Sequence, residues 1–241
     1  LQKKTVYLPS SVAMLTSRLC CGEPTARYDD IAMPKILKRN ADPCTVVGCK
    51  WFKSGEHVYI PYYIDSNYCK RRKCKVITEF PSVKKWSETC RQETPRETQS
   101  TEQVWQRKEK KCWSYIGRQG GGQFISLEKN KCLRTSTVSH EVLHALGFNH
   151  EQVRTDRDEY IRVFFQNIKP GWFNFWKVRT NNMGSPYDYN SVMHYKKYAF
   201  SKNGQPTIAA RSRQIHNFGN TYGMSNTDID RVNKLYDCRK N

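Results

Sequence analysis

Hydrophobic spacing changes period several times along the chain, and each change marks an element. Val58-Tyr59-Ile60-Pro61-Tyr62-Tyr63-Ile64 combines β-branched and aromatic residues, which suit a pleated, half-buried surface, so a strand is predicted there. Pro61 has no amide hydrogen to give to a ladder, which predicts an edge position or a bulge. Phe124-Ile125-Ser126-Leu127 is a second strand candidate behind Gly120-Gly121-Gly122. That glycine run lacks the Gly-Lys-Ser/Thr ending of a phosphate loop and reads as a flexible turn. The period becomes helical at Val138, Val142, Leu143, Ala145 and Leu146, with Ser136 or Thr137 able to cap the start and Gly147 placed to end the helix. Ser225-x-x-Asp228 predicts a capping box, and Ile229, Val232, Leu235 and Tyr236 repeat on one face behind it. The aromatic stretch from Trp172 to Trp176 reads as core packing.

Composition narrows the setting. The chain has 241 residues, 37% of them hydrophobic, enough for one or two globular units. No stretch approaches the roughly 20 apolar residues of a membrane span, so none is expected. The opening Leu1-Gln2-Lys3-Lys4 is too polar for a secretory core, and any signal peptide is expected to have been removed. Ten cysteines fit paired disulfides and an oxidising compartment, which predicts secretion, although no Asn-x-Ser/Thr acceptor occurs. The formal charge of +19 favours acidic partners and admits a reading as a basic polyanion-binding protein rather than an enzyme. Lys70-Arg71-Arg72-Lys73 would be its contact, yet the run sits between Cys69 and Cys74, as in a solvated loop closed by a local disulfide. Basic residues do not alternate with exposed aromatics, and no RNA-binding signature or zinc-finger spacing occurs, so no nucleic-acid partner is expected. Residues 1–39 carry Pro9, Pro24 and Pro34 and end in a basic cluster at 35–39, which marks a boundary and a processing site.

The segment His140-Glu141-Val142-Leu143-His144 carries the chemistry. Residues four apart lie one turn above each other on a helix, so both imidazoles can reach one ion. Histidine nitrogen suits zinc, and a break at Gly147 lets the chain return His150 as a third ligand. Three histidines leave a coordination position for water, as in a catalytic rather than a closed structural site. Glu141, beside that face, is the candidate base that takes a proton from water and passes it to the leaving amine. One Zn2+ per chain is expected.

The longer pattern is His140-Glu141-x-x-His144-x-x-Gly147-Phe148-x-His150-Glu151, followed by Ser191-Val192-Met193-His194-Tyr195. The first resembles the elongated zinc motif of the metzincins and the second their Met-turn. With Arg154, Asp156-Arg157-Asp158 and the closing Leu235-Tyr236-x-Cys238, the chain resembles the astacin family, and within it the fish hatching enzymes, from about residue 40 to 238. The resemblance implies an α+β fold: a two-lobed catalytic domain over residues 40–241, with a twisted mixed sheet and the zinc helix in the upper lobe and an irregular lower lobe. It implies that Met193 forms a hydrophobic floor and that Tyr195 faces the zinc. A tyrosine protonated at neutral pH could then donate to a developing oxyanion. It places Glu151 with the amino terminus of a mature enzyme, here Asn40. Cys112-Trp113-Ser114-Tyr115-Ile116-Gly117-Arg118 resembles the family's edge strand, which would hold an extended peptide, the alternative being an interior strand. By the same comparison Cys90 pairs with Cys238, Cys112 with Cys132 and Cys44 with Cys49. Cys69 and Cys74 remain as a further pair, and the partners of Cys20 and Cys21 stay open.

For residues 1–39 the resemblance implies a pro-segment. Asp30, in Tyr28-Asp29-Asp30-Ile31, falls where astacins place an aspartate that blocks the zinc, although Arg27 and Asp29 replace the phenylalanine and glycine of that motif. Cleavage after Arg39 by a trypsin-like protease would lift the block. Two departures bear on the upper lobe: residues 91–111 are polar where astacins carry an apolar strand, and Pro81 interrupts an expected helix. The expectation is a secreted zinc endopeptidase acting on extracellular proteins or peptides, with egg-envelope proteins as candidate substrates. A digestive or matrix-processing astacin is the alternative.

Overall fold

The computed structural model describes residues 4–6, 26–33, 48–54, 57–58, 60–64, 103–106, 111–120, 122–128 and 130–238. Their elements are β1 (Lys4–Val6), β2 (Ala26–Tyr28), β3 (Ile31–Met33), β4 (Lys53–Ser54), β5 (His57–Val58), β6 (Ile60–Ile64), β7 (Gln103–Gln106), β8 (Ser114–Tyr115), β9 (Phe124–Ser126), α1 (Thr135–Ala145), β10 (Ile161–Val163), β11 (Ile208–Ala210) and α2 (Asn226–Leu235). This is the α+β class expected.

The main sheet runs β1-β6-β7-β9, antiparallel between β1 and β6 and parallel in the next two pairs. A reciprocal backbone bridge between Trp113 and Ser126 carries it on to β8. There β3 pairs parallel with β8, Ile31 opposite Ser114 and Ala32 opposite Tyr115, while β2 folds back on β3. Strands from the first 33 residues therefore cover both flanks of the sheet built by the rest of the chain.

Pro61 is displaced from its expected edge for this reason. Its strand has β7 on one side and β1 on the other, with Pro61 opposite Thr5. Without β1 it would be an edge strand. The polar stretch 91–111 still contributes β7, an interior strand between β6 and β9.

Helix α1 starts earlier than either expected cap allows. Arg134 holds the N-cap position without a side-chain bond, so Ser136 and Thr137 lie inside the first turn. Its other end is fixed by Gly147 at φ 102°, with the Gly147 amide bonded to the His144 carbonyl and the Phe148 amide to that of Leu143. That paired reversal needs a left-handed residue, which glycine adopts without a Cβ clash. The remaining carbonyls are also satisfied: Trp51 Nε1 donates to Ala145 at 2.8 Å and the Tyr236 hydroxyl to Leu146 at 2.9 Å. Helix α2 has the expected capping box, Ser225 and Asp228 each bonding the other's backbone amide.

Besides a small cluster of Ala32, Trp113 and Tyr115, where β3 packs on β8, two larger hydrophobic cores result. One gathers Ile125, Leu127, Val138, Leu143, Leu146, Met193, Val232 and Tyr236 around α1 and α2. The other, around Ile161, Ile168, Phe175, Tyr195, Ile208 and Phe218, supports the irregular region. The aromatic stretch splits against expectation: Phe175 is fully buried, whereas Phe173 and Trp176 are exposed. A four-residue 3-10 turn, Trp172–Phe175, cannot aim all of its rings to one side. Cys112 and Cys132 are disulfide-bonded, with Cα atoms 5.8 Å apart. Cys49 is also in a disulfide, and Cys238 packs beside the first core. Cys20, Cys21, Cys44, Cys69, Cys74, Cys90, Pro81 and the basic run at 70–73 lie outside the described residues.

Candidate metal centre and active site

Helix α1 presents His140 and His144 one turn apart, and the reversal at Gly147 returns His150 to the same point. The three rings stand with centroids 4.7 to 5.1 Å apart. Each of the first two is oriented by its second nitrogen: His140 Nδ1 lies 2.8 Å from the Val192 carbonyl and His144 Nδ1 2.8 Å from that of Phe148. A carbonyl only accepts, so each Nδ1 carries the proton, and a neutral ring then offers its Nε2 lone pair.

Those lone pairs converge. His140 Nε2 and His150 Nε2 are 3.2 Å apart, and the Asp30 carboxylate faces all three rings, 3.0 Å from His140, 3.0 Å from His150 and 3.5 Å from His144. One ligand atom from each of the four lies within 4.8 Å of the others. Tetrahedral zinc with bonds near 2.1 Å separates its ligand atoms by about 3.4 Å. Moreover His144 Nε2, Asp30 Oδ1 and Glu141 Oε2 are buried without a hydrogen-bond partner, a costly arrangement for polar atoms unless an ion or a reacting group satisfies them. The donor set fits a divalent zinc ion.

The surrounding carboxyls are driven apart. Burial opposes ionisation of Asp30, but His150 and His140 outweigh it and hold Asp30 well below the usual carboxylate range. Glu141, buried and facing the charges of Asp30 and Asp29, is pushed well above it. Burial lowers His144 to about 4, consistent with a neutral ligand. Burial, then Asp30 and Asp29, raise the Tyr195 hydroxyl, which stays protonated. Its ring lies tilted against that of His150, centroids 4.6 Å apart, and its hydroxyl donates to Asp29 at 2.6 Å.

The turn bearing Met193 and Tyr195 is held by residues that periodicity does not reveal. Asp228, the capping acid of α2, also accepts from the Ser191 hydroxyl at 2.6 Å and the Val192 amide at 2.9 Å. Gln152 accepts from the Tyr195 amide at 3.1 Å. His194 Nδ1 donates to the Tyr195 carbonyl and its Nε2 meets the Tyr187 hydroxyl at 2.7 Å. Gly219 lies so close that a Cβ there would stand 2.6 Å from the Tyr195 carbonyl oxygen. Met193 is buried in the α1 core and gives its carbonyl to the Glu151 amide.

Glu151 lies in a buried ionic knot. Arg231 grips it with two bonds at 2.7 and 2.9 Å, Arg154 adds a third at 3.2 Å, and the Asp188 amide a fourth. Arg154 also forks onto Asp156 at 2.7 and 2.9 Å. Asn40, the residue expected near Glu151, lies outside the described residues. Arg231 has no motif signal, but its place on α2 opposite the exposed face could have suggested a buried partner.

A zinc-type three-histidine centre with a buried glutamate beside it defines a metal-dependent peptidase. The sequence profile of the peptidase family described as Astacin matches residues 49–237, and the chain belongs to that family. It is 39% identical over 213 residues to high choriolytic enzyme 2 of Oryzias latipes, a match covering 87% of this chain and 75% of that protein. It is 38% identical over 185 residues to zinc metalloproteinase nas-14 of Caenorhabditis elegans, where the match covers 74% of this chain but only 36% of that protein. The solved structure of high choriolytic enzyme 1, a hatching enzyme zinc-protease from the same medaka fish, superposes with a TM-score of 0.70 at 37% identity, covering 79% of this chain and 96% of that one. The chain is an astacin-type zinc metalloendopeptidase. No helix among the described residues is long and apolar enough to cross a membrane.

Proposed function

We propose that this chain is the latent form of a secreted endopeptidase that digests extracellular proteins, with an egg envelope as its substrate. Residues 1–39 act as the pro-segment, and residues 40–241 form the catalytic domain. The observation that carries the reading is the Asp30 carboxylate lying among the Nε2 atoms of His140, His144 and His150.

Those three histidines hold the zinc ion. Zinc bound there supplies Lewis-acid polarisation. Glu141 takes a proton from the attacking water and delivers it to the leaving amide nitrogen. Tyr195 donates its hydroxyl hydrogen to the substrate carbonyl oxygen as charge grows on it. The extended substrate lies along β8, bonding through main-chain groups, which suits an enzyme that accepts many sequences. In the latent chain β3 takes that strand position, the Ser114 amide donating to the Asp30 carbonyl at 2.8 Å. A trypsin-like cut after Arg39 frees the hairpin.

The hatching role is favoured by two medaka choriolytic relatives matched over three quarters or more of their length. Trypsin-treated protein, with the trypsin then inhibited, is expected to hydrolyse casein, to stop with a chelator and to recover with zinc. Inactivity after zinc restoration counts against the peptidase reading. Softening of isolated egg envelopes separates a hatching enzyme from a digestive one, which would degrade casein and leave envelopes intact.

A further inference from the structure

Adjacent acids at the tip of the β2–β3 hairpin face two different partners. Asp30 points at the histidines, while Asp29 accepts from Tyr195 at 2.6 Å. Asp29 has φ 61°, a backbone region that favours glycine, so a side chain there is held at some conformational cost. Two like charges on neighbouring residues also repel, and the pair is tolerated only where each meets its own donor. The Tyr195 hydroxyl is such a donor, fixed in place from behind by Gln152, His194 and the close approach of Gly219.

We infer that the Tyr195 hydroxyl is a second carboxylate-binding position in the cleft, filled by Asp29, so that the hairpin is latched at two neighbouring acids. The inference rests on the reading above that residues 1–39 keep the enzyme latent. It adds that the latch takes away the oxyanion donor together with the metal site. An acidic pair in a tight turn is accordingly the ligand chemistry this cleft recognises.

Hydrogen exchange on the zinc-loaded full chain tests this without relying on activity, Glu141→Gln being included throughout to prevent self-digestion. Asp29→Gly relieves the backbone cost yet removes the carboxylate; it is expected to speed exchange at residues 31–33 and 113–115 about tenfold, as loss of one charge-assisted bond would. Asp29→Asn, which keeps a side chain tolerant of positive φ, shifts exchange the same way by a smaller factor. In a Tyr195→Phe background both substitutions lose their effect. Unchanged or slower exchange in Asp29→Gly, or the same acceleration with Phe at 195, overturns the second position. Exchange at α2 reports the integrity of the fold in every variant. Asp30→Ala tests the underlying reading separately, which fails if that change leaves the hairpin fully protected.

Discussion

The two walls that meet at the histidines are built on different terms. On one side, the Met193–Tyr195 turn is anchored by Asp228, Gln152, His194 and the Glu151 knot, through buried groups drawn from α2 and from the segment after His150. On the other, the hairpin of residues 26–33 rests on two carboxylates, a two-residue register with β8 and a small apolar cluster of Ala32 with Trp113 and Tyr115. Redundant buried bonds make the first a permanent part of the fold, because removing any partner strands another in a low-dielectric interior. The latency proposed above requires that the first wall persist and the second be released.

Substitutions should split along that line. The largest effect belongs to Glu141→Gln, which keeps shape and zinc but lacks the base; kcat of the activated enzyme is expected to fall about 10³-fold, with zinc content unchanged. Near-full turnover would remove Glu141 from its role. Next is Arg231→Ala, distant from the chemistry, which leaves Glu151 buried with less of its charge compensated. Urea denaturation should register a loss of about 3 kcal/mol, and a change under 1 kcal/mol would mean that the anchored wall is not redundant but slack.

A comparable or smaller effect comes from His194. Burial lowers its pKa from 6.5 to about 4, so between those values the unfolded chain binds a proton that the folded chain does not. Its neutral form therefore supports the fold fully above pH 6.5, and up to ~3 kcal/mol is lost as pH falls toward 4. His194→Gln should flatten that part of the stability profile. An unaltered slope would place the acid sensitivity in other groups.

The metal ligands and the caps at Gly147 and Ser225 were legible in the sequence, and Asp30 through the family resemblance, whereas the anchors of the Met193–Tyr195 turn were not. The ligand spacing, the Gly147 reversal and the Ser225–Asp228 box are local patterns whose geometry follows from a helix and its caps. Asp228 bonding Ser191, or Arg231 bonding Glu151 across 80 positions, is long-range pairing that no period encodes. Pro61 misled because the strand covering its flank comes from residues 4–6, far away in sequence. Asp29 looked like a lost glycine, since only the folded turn reveals that its side chain has a partner.

Zinc analysis of the purified full chain and its single histidine variants bears most directly on the centre of this account. About one zinc per chain is expected in the parent, retained in Glu141→Gln and largely lost on replacing His140, His144 or His150 by alanine. A folded parent chain without stoichiometric zinc, or a His144→Ala variant that keeps it, would contradict the three-histidine centre.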